Sequence, residues 1–255
     1  MRRGNLKARL LIGLVVIGFA FMRRCSQQET NPYTGRTQAI SLSPDQEIAI
    51  GLQSAPQMAQ QHGGLHPDTR YQNKVDEVGQ KLVTNSSANR SPYKYEFHLL
   101  ADSQTINAFA LPGGQIFITY ALFSKLENED QLAGVLGHEI GHVLGKHSNE
   151  RITNADFWKY FVMGASAVDM GAVAQQYGQG SLLKNGRGDE LESDDLGVLL
   201  MLNSGYNPEE MIGVMQILKT AAGPNRVPEF QSTHPDPENR IEKIKEAIIK
   251  YKKAS

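Results

Sequence analysis

The sequence has very little cysteine, and this scarcity excludes two classes of small protein. Its 255 residues include a single cysteine, Cys25. One cysteine cannot form an intramolecular disulfide, so a scaffold held together by disulfides is excluded. A zinc finger that needs several thiolates is excluded for the same reason. A chain of this length can bury enough surface to fold without such crosslinks.

The sequence also lacks an excess of charge of either sign. Its 26 Lys and Arg residues nearly balance 27 Asp and Glu residues, which leaves a net charge of −1. No run of basic residues is longer than two. Proteins that bind nucleic acid through its phosphates usually carry a basic patch. We therefore expect no nucleic-acid partner.

Long apolar runs are absent except near the N-terminus, where residues 10–22 are apolar and follow a basic segment. This run is shorter than the roughly 20 residues that span a bilayer. The pattern indicates a signal peptide or membrane anchor over residues 1–25. Cys25 lies where a bacterial lipoprotein carries its lipidated cysteine, but Arg23 and Arg24 depart from the usual lipoprotein pattern. A lipoprotein and an inert cysteine both stay open, and we expect residues 26–255 to form one exported domain.

Local patterns predict an α+β fold that is mostly helical and contains one small sheet. Ser43, Pro44 and Gln46 have the form of a capping box at the start of a helix. Period-two alternation of apolar residues and the turn residues around it predict strands. The predicted helices cover residues 44–61, 68–83, 128–145, 189–202, a segment from 207, and 236–252, and the strands cover 93–99, 106–110 and 115–120. Residues 155–183 stay undetermined, and their Met163 and Met170 can belong to a mobile flap or to ordinary helix packing.

The segment His138-Glu139-Ile140-Gly141-His142 carries the main chemical signal. Residues i and i+4 of a helix share one face, so both imidazoles can reach one metal ion. The carboxylate of Glu139 can then take a proton from zinc-bound water and deliver it to a leaving amine. Such polar groups in an otherwise apolar helix need a reason, because their burial is costly. The pattern predicts a catalytic zinc site with His138 and His142 as ligands.

A catalytic zinc ion usually takes a third protein ligand. His147 is rejected because it lies about 180° from His138 on a continuing helix. Glu190 and Asp194 share one helical face, so one can bind the metal while the other holds a ligand histidine by its second nitrogen. The spacing alone does not distinguish this interpretation from its alternative, an exposed helix start where acidic residues interact favourably with the helix dipole.

Four segments, in this order, resemble the prenyl-protease and HtpX-type zinc metallopeptidases of peptidase family M48. They are INAFALPGG, HEIGHVLGKH, ELESD and STHPDPENRI. The resemblance implies a gluzincin-like zincin fold that binds one Zn²⁺ per chain. It implies His138, His142 and Glu190 as the zinc ligands and Glu139 as the base. The chain most resembles the short, exported, single-domain envelope branch of the family.

The same resemblance implies that His234 approaches the zinc. It is then either a fourth ligand that blocks the site until substrate arrives, or a donor to the developing oxyanion. A histidine at a helix start with no such role is the alternative. Arg240 is expected to pair with an acid near the site, and Asp194 is the acid expected to orient a ligand.

One predicted strand is a candidate for substrate binding by strand addition. An extended polypeptide would pair with the edge formed by Asn107, Ala108, Phe109 and Ala110. An ordinary internal strand is the alternative.

The sequence therefore predicts a zinc metalloendopeptidase of the bacterial cell envelope or periplasm. Its expected substrates are unfolded or misassembled envelope proteins, and a role in protein quality control is implied by the family alone. A zinc-bearing periplasmic chaperone or adaptor with little proteolysis is the main alternative. Zinc-dependent hydrolysis of cell-wall peptides is another. The membrane is a further expected partner if the N-terminus is an anchor.

Overall fold

The computed structural model describes residues 6–221, 234 and 239–253. The fold is α+β and mostly helical, which confirms the predicted class. The helices are α1 (Leu6–Ser26), α2 (Pro44–Gln61), α3 (Thr69–Thr84), α4 (Tyr120–Phe123), α5 (Glu129–Leu144), α6 (His147–Ser166), α7 (Gly171–Asn203), α8 (Glu210–Ala221) and α9 (Arg240–Lys252). The strands are β1 (Gln28–Thr30), β2 (Thr37–Ala39), β3 (Glu96–Leu100), β4 (Ala108–Ala110) and β5 (Gln115–Thr119).

The chain divides into two compact units. The first unit is Met1–Leu42 with Lys146–Gly186, and the second unit is Ser43–Gly145 with Arg187–Ser255. Helix α7 contributes residues to both units. The predicted boundary at residue 25 stays a prediction.

The first unit is built on the packing of α1 against α6. The two helices approach closely at Gly13, where an added Cβ would lie 2.7 Å from the carbonyl oxygen of Gly164. Edge-on ring contacts continue the interface, as between Phe19 and Tyr160. Within the described ranges, no helix combines the length and the apolar character that crossing a membrane requires.

The second unit contains a three-stranded sheet in the order β3-β5-β4. Strand β3 runs parallel to β5, whereas β4 runs antiparallel to it. Helices α3 and α5 pack on this sheet and bury its apolar residues. The largest side chains that are fully buried in this core include Leu82, Leu99, Ile116, Phe117, Ile118, Leu136 and Ile140.

Most predicted elements agree with the observed bounds. The capping box is present, because Ser43 accepts from the backbone N–H of Gln46 and the Gln46 side chain accepts from the N–H of Ser43. The segment from 207 becomes helical only at Glu210. The predicted start of the last helix at 236 lies outside the described residues, and α9 is described from Arg240.

The undetermined segment 155–183 is largely helical and belongs to α6 and α7. Met163 and Met170 are exposed by 53% and 52%. The predicted end of the helix of His138 at 145 is confirmed to within one residue, so the helix does not continue to His147. Helix α5 ends at Leu144, Lys146 takes a left-handed backbone conformation with φ 55°, and His147 begins α6.

Candidate active site

Helix α5 presents His138, Glu139 and His142 in the core of the second unit. The helix begins where the Asn128 side chain accepts from the backbone N–H of Gln131, which satisfies a free helix donor. All three site residues are buried. The two imidazoles share a face as predicted, and their Nε2 atoms lie 3.0 Å apart.

Helix α7 approaches α5 closely because small residues line the contact. A Cβ added to Gly141 would lie 2.8 Å from the carbonyl oxygen of Ser193, and one added to Gly137 would lie 3.5 Å from Gly197. A side chain at position 141 would push the helices apart. The close approach lets Glu190 of α7 reach the histidines of α5.

Four buried side chains then converge on one point. His138, His142, Glu190 and His234 each offer a donor atom, and these atoms all lie within 4.8 Å of one another. The Nε2 atoms of His138 and His142 lie 3.2 and 3.4 Å from the carboxylate oxygens of Glu190. The Nδ1 atom of His234 lies 3.3 Å from Nε2 of His138.

The donor set fits a single metal ion. For metal–ligand distances of about 2 Å, the donors at the corners of a tetrahedron are separated by about 3.3 Å. The observed separations of 3.0 to 3.4 Å lie around that value. Without a cation, imidazole nitrogens this close would need a shared proton, whereas a metal ion satisfies all of them at once.

Asp194, which is held by Arg240, contacts the ring of His138 at Nδ1. The Nδ1 atom of His138 lies 2.8 Å from a carboxylate oxygen of Asp194. Arg240 donates to both oxygens of Asp194, from Nε at 2.6 Å and from Nη2 at 2.9 Å. Asp194 therefore fixes the His138 ring with Nε2 directed at the donor cluster, which is the usual support for a metal-bound histidine.

The contacts of His234 show which of its nitrogens faces the cluster. Its Nε2 atom lies 3.1 Å from the carbonyl oxygen of Ala108, and its Nδ1 atom lies 3.1 Å from Glu190. A carbonyl oxygen only accepts, so Nε2 carries a hydrogen. The Nδ1 atom is the one near the other donors, and it would exchange its contact with Glu190 for the metal when an ion is bound.

Glu139 lies beside the cluster but makes no hydrogen bond within the described structure. The Nε2 atom of His234 lies 3.6 Å from one of its carboxylate oxygens. Burial raises the pKa of Glu139, and the neighbouring His234 and His138 oppose this rise. The carboxylate is thus placed to exchange a proton with a group that enters the site.

Glu190 and His138 show how strongly the cluster stabilises charge. Burial raises the pKa of Glu190, but hydrogen bonds from His138, His142 and His234 outweigh burial and hold this pKa far below its usual range. Burial and Arg240 lower the pKa of His138, yet its bonds to Asp194 and Glu190 raise it overall to about 9. A metal ion that binds here must displace a proton from His138.

Strand β4 is an edge strand within the described sheet, because its one neighbour is β5. Asn107, immediately before β4, accepts from the backbone N–H of Thr119, and Ala108 pairs with Ile118. The carbonyl of Ala108 bonds to His234 on the other side. The sheet order thus agrees with the prediction that an edge strand is formed by Asn107, Ala108, Phe109 and Ala110. Their role in substrate binding stays a prediction.

The structure brings together the residues that the sequence singled out, and it adds some that were missed. His147 is not among the four donors. The glycines at the contact of α5 and α7 were not recognised, although Gly137 and Gly141 have the Gly-x-x-x-Gly spacing of close helix contacts. Met211 and Met215 of α8 were also missed, and they line a cavity beside Glu139.

Comparison with known proteins places the chain in a family. Residues 69–248 match the family described as Peptidase family M48. The beta-barrel assembly-enhancing protease of Yersinia pestis is 30% identical over 254 residues, which cover 92% of this chain and 51% of that protein. The protein of the same name from Escherichia coli (strain K12) is 28% identical over 253 residues, which cover 93% of this chain and 50% of that protein.

A further relative carries a different name. The mitochondrial metalloendopeptidase OMA1 of Schizosaccharomyces pombe is 30% identical over 224 residues, which cover 84% of this chain and 65% of that protein. The chain thus spans between half and about two thirds of the length of these relatives. The family match covers most of the chain and includes the buried donor cluster with Glu139 beside it. The chain belongs to peptidase family M48.

Proposed function

We propose that the chain is a zinc-dependent endopeptidase that cuts extended polypeptides in the cell envelope. One Zn²⁺ per chain would be held by His138, His142 and Glu190. The observation that carries this proposal is the buried cluster of donors with Glu139 beside it, a carboxylate that no described residue hydrogen-bonds. Two histidines and one carboxylate are a common ligand set of catalytic zinc.

Zinc suits this donor set better than the harder divalent cations. Nitrogen donors favour zinc and other transition metals, whereas magnesium and calcium prefer sites made of oxygen. When bound, zinc would lower the pKa of a coordinated water and polarise the carbonyl of the scissile bond.

Glu139 would perform the proton transfers of hydrolysis. Its carboxylate would accept a proton from the attacking water and then donate it to the amine that leaves. Its burial supports the first step, because a raised pKa makes the carboxylate a stronger base toward the proton of the water. Asp194, clamped by Arg240, would keep the ring of His138 in the orientation that binding requires.

We assign His234 to the resting state as a fourth ligand. Its Nδ1 atom lies beside Glu190 among the donors, and its Nε2 atom donates to the carbonyl of Ala108 on the edge strand. Departure of His234 would open a coordination position and at the same time free the carbonyl of Ala108. A substrate backbone could then donate to Ala108 as it pairs with β4.

The His234→Ala variant tests this role. If His234 occupies the site at rest, its removal raises the initial rate of casein cleavage several-fold. If His234 instead donates to the oxyanion, the same change lowers the rate. A His66→Ala variant is the matched control, since His66 lies outside the donor cluster, and it should cut at the wild-type rate.

The envelope assignment has two supports. Relatives in Yersinia pestis and Escherichia coli are named beta-barrel assembly-enhancing proteases. The basic and apolar start of the chain has the pattern of an export signal or anchor, with Cys25 as a candidate lipidation site. Substrates would accordingly be unfolded or misassembled envelope proteins, and the N-terminus would keep the enzyme at the membrane if it is retained.

The preference for extended chains can be tested with one substrate in two states. We expect the zinc-loaded protein to cut reduced and alkylated α-lactalbumin, and to leave the native calcium-bound form largely intact. Strand addition needs an extended segment, which the native form does not offer. Equal cleavage of both forms would contradict the substrate class but not the peptidase. Binding of the unfolded form without cleavage, by wild type and by His234→Ala alike, would favour a chaperone.

A further inference from the structure

We propose that one end of the first unit is a lipid-binding surface that docks on an anionic bilayer. This surface, the apolar end, consists of Leu10 on α1, Met163 on α6, Met170 immediately before α7, and Val173 in the first turn of α7. All four residues belong to the first unit. The inference goes beyond the proposed function, because it concerns where the protein is held and not how it cuts.

The contacts of α1 bring its start to the turn between α6 and α7. Arg9 donates from Nε to the carbonyl oxygen of Ala167 and from Nη2 to the carboxylate of Asp169, both at 2.9 Å. A Cβ added to Gly13 would lie 3.4 Å from the Cβ of Ala167. Met163 lies one helical turn before Ala167 on α6. The exposed apolar residues of the three helices therefore lie at the same end of the unit.

The side chains of the apolar end are exposed as a group. Leu10, Met163, Met170 and Val173 are exposed by 47%, 53%, 52% and 46%, and Tyr177, one turn further along α7, is exposed by 73%. Single exposed apolar side chains are ordinary, but several at one place mark a binding surface. Flexible methionines and a tyrosine with a polar tip suit a boundary between acyl chains and water.

The two units differ strongly in charge, and this difference selects the partner. Residues 1–42 and 146–186, which form the first unit, contain eleven Lys and Arg residues and four Asp and Glu residues. The second unit contains the other 15 basic and 23 acidic residues, so the net charges are +7 and −8. A basic unit with an exposed apolar end fits an anionic bilayer, which offers a negative surface and an apolar interior. Nucleic acid would match the charge but leave the apolar residues in water.

Lysines are placed to meet lipid headgroups when the apolar end enters the membrane. Lys159 and Met163 are four positions apart on α6, so they share a face and lie about 6 Å apart along the helix. Apolar faces of interfacial helices lie about 5–10 Å inside the boundary of headgroups and acyl chains. Lys7 and Leu10 repeat this arrangement on α1, and both lysines are exposed. Their aliphatic stems let the ammonium groups stay at the level of the headgroups.

Vesicle binding by the full chain tests the inference. Wild type should bind phosphatidylcholine vesicles that contain about 30% phosphatidylglycerol at least about tenfold more tightly than pure phosphatidylcholine, and added salt should reduce this difference. Met163→Asp should weaken binding to the anionic vesicles about tenfold, because it places a charge in the apolar boundary. Ile249→Asp is the matched control and should bind as wild type does, since Ile249 is exposed by 55% in the second unit.

A matched pair of lysine variants tests the contribution of charge. Lys159→Gln should weaken binding to the anionic vesicles and leave binding to pure phosphatidylcholine unchanged. Lys94→Gln should bind both kinds of vesicle as wild type does, because Lys94 is exposed in the second unit. Circular dichroism checks that all variants are folded, which we expect because the substituted side chains are exposed.

Trp158 provides a measurement on α6 itself. It is the single tryptophan of the chain and immediately precedes Lys159. Lipids with brominated acyl chains quench tryptophan fluorescence only at short range. In anionic vesicles these lipids should quench the fluorescence of wild type and of Ile249→Asp, and quench that of Met163→Asp much less.

Several results would overturn the inference. Equal binding of wild type to neutral and anionic vesicles would remove the role of charge. Unchanged binding and quenching in Met163→Asp would show that α1 alone holds the chain at the membrane. If Met163→Asp loses only self-association, measured by light scattering without vesicles, the apolar end is an interface between two copies of the chain.

The vesicle experiments stand apart from the proposed function. They contain no polypeptide substrate, so a protein that cuts nothing can still bind vesicles as predicted. Conversely, Met163→Asp should cleave casein in solution at the wild-type rate, even though it has lost its affinity for the membrane. Loss of both activities in this variant would indicate misfolding, and the lysine pair then decides the question.

Discussion

A buried carboxylate without a hydrogen bond is costly to a folded protein, and among the residues that the structure describes Glu139 is such a group. Nothing in the packing of α5 requires a carboxylate at this position, because its neighbours in the helix are mostly apolar. The cost is understandable if the partner of Glu139 is a reactant. The proposed proton-transfer role would provide that partner during the reaction, and His234 lies close to the carboxylate.

At the same scale, Asp194 and Asp195 offer a natural pair for comparison. Asp194 is buried and contacts His138, whereas Asp195 points away and contacts Lys250 and Tyr251. We predict that Asp194→Asn weakens zinc binding by about 10- to 100-fold, because the His138 ring loses its charged support. Asp195→Asn should bind zinc as wild type does. Competition with a chromophoric chelator measures both affinities, once circular dichroism shows that the variants are folded.

Equal zinc affinities for the two variants would contradict the positioning role of Asp194. A loss in both variants would instead indicate a general effect of charge on α7.

At the scale of elements, the site depends on how closely α7 packs on α5. Gly141 lies between His138 and His142 in the sequence, and it faces Ser193 of α7. Ligands on different helices need a fixed separation, since metal–ligand distances vary by only a few tenths of an ångström. The small residues at this contact are therefore part of what would allow the proposed metal site to form.

We predict that Gly141→Ala weakens zinc binding and lowers peptidase activity by at least about tenfold. The added Cβ would lie 2.8 Å from the Ser193 carbonyl oxygen, so α7 must move away. Gly180→Ala on the same helix α7 is the control, because a Cβ there meets no atom within 4 Å. That control should keep its zinc affinity and gain slightly in stability, since alanine favours the helix. Wild-type affinity in Gly141→Ala would show that the close contact is dispensable.

Elements with local signals were predictable, and those that depend on tertiary contacts were not. The helix at Pro44 was predicted because its capping box acts within four residues. The length of α7 was missed, since its glycine-rich first part has no clear apolar period. The end of α5 was predicted to within one residue, at 145 against the observed Leu144, but the left-handed conformation of Lys146 that follows it was not predicted.

In the candidate site too, residues with a local sequence signal were predictable, and features that depend on tertiary contacts were not. His138, Glu139 and His142 were predictable because their spacing is local to one helix. Spacing could not decide between Glu190 and Asp194, since both share a face and only the approach to α5 distinguishes them. The structure places Glu190 among the donors and Asp194 behind His138. The cavity of Met211 and Met215 left no local signal, because it forms only when α8 packs on α5.

At the scale of the whole molecule, the metal would join segments that are distant in sequence. Within the second unit, the four donors come from α5, from α7 and from residue 234. A ligand that binds only the folded state stabilises it, by about 4 kcal/mol when its free concentration is a thousand times Kd. Metal loss should therefore weaken the fold as well as the chemistry.

We predict that a chelator lowers the Tm of the zinc-loaded protein by roughly 10 °C, as this stabilisation implies for a chain of this size. Glu190→Gln should have a low Tm that the chelator does not change. Glu192→Gln, a matched change two residues along α7, should respond as wild type does. Differential scanning calorimetry makes the comparison. A wild-type Tm indifferent to chelation would contradict a metal bound by these donors.

The central claim is that this donor cluster holds zinc and that Glu139 moves the proton of peptide hydrolysis. The most direct test measures zinc content and casein cleavage together, in wild type and in Glu139→Gln. We predict one zinc per chain in both proteins, cleavage by wild type that a chelator abolishes, and a rate at least about 100-fold lower in the variant. Cleavage by Glu139→Gln at the wild-type rate, or by wild type after complete removal of zinc, would contradict the claim.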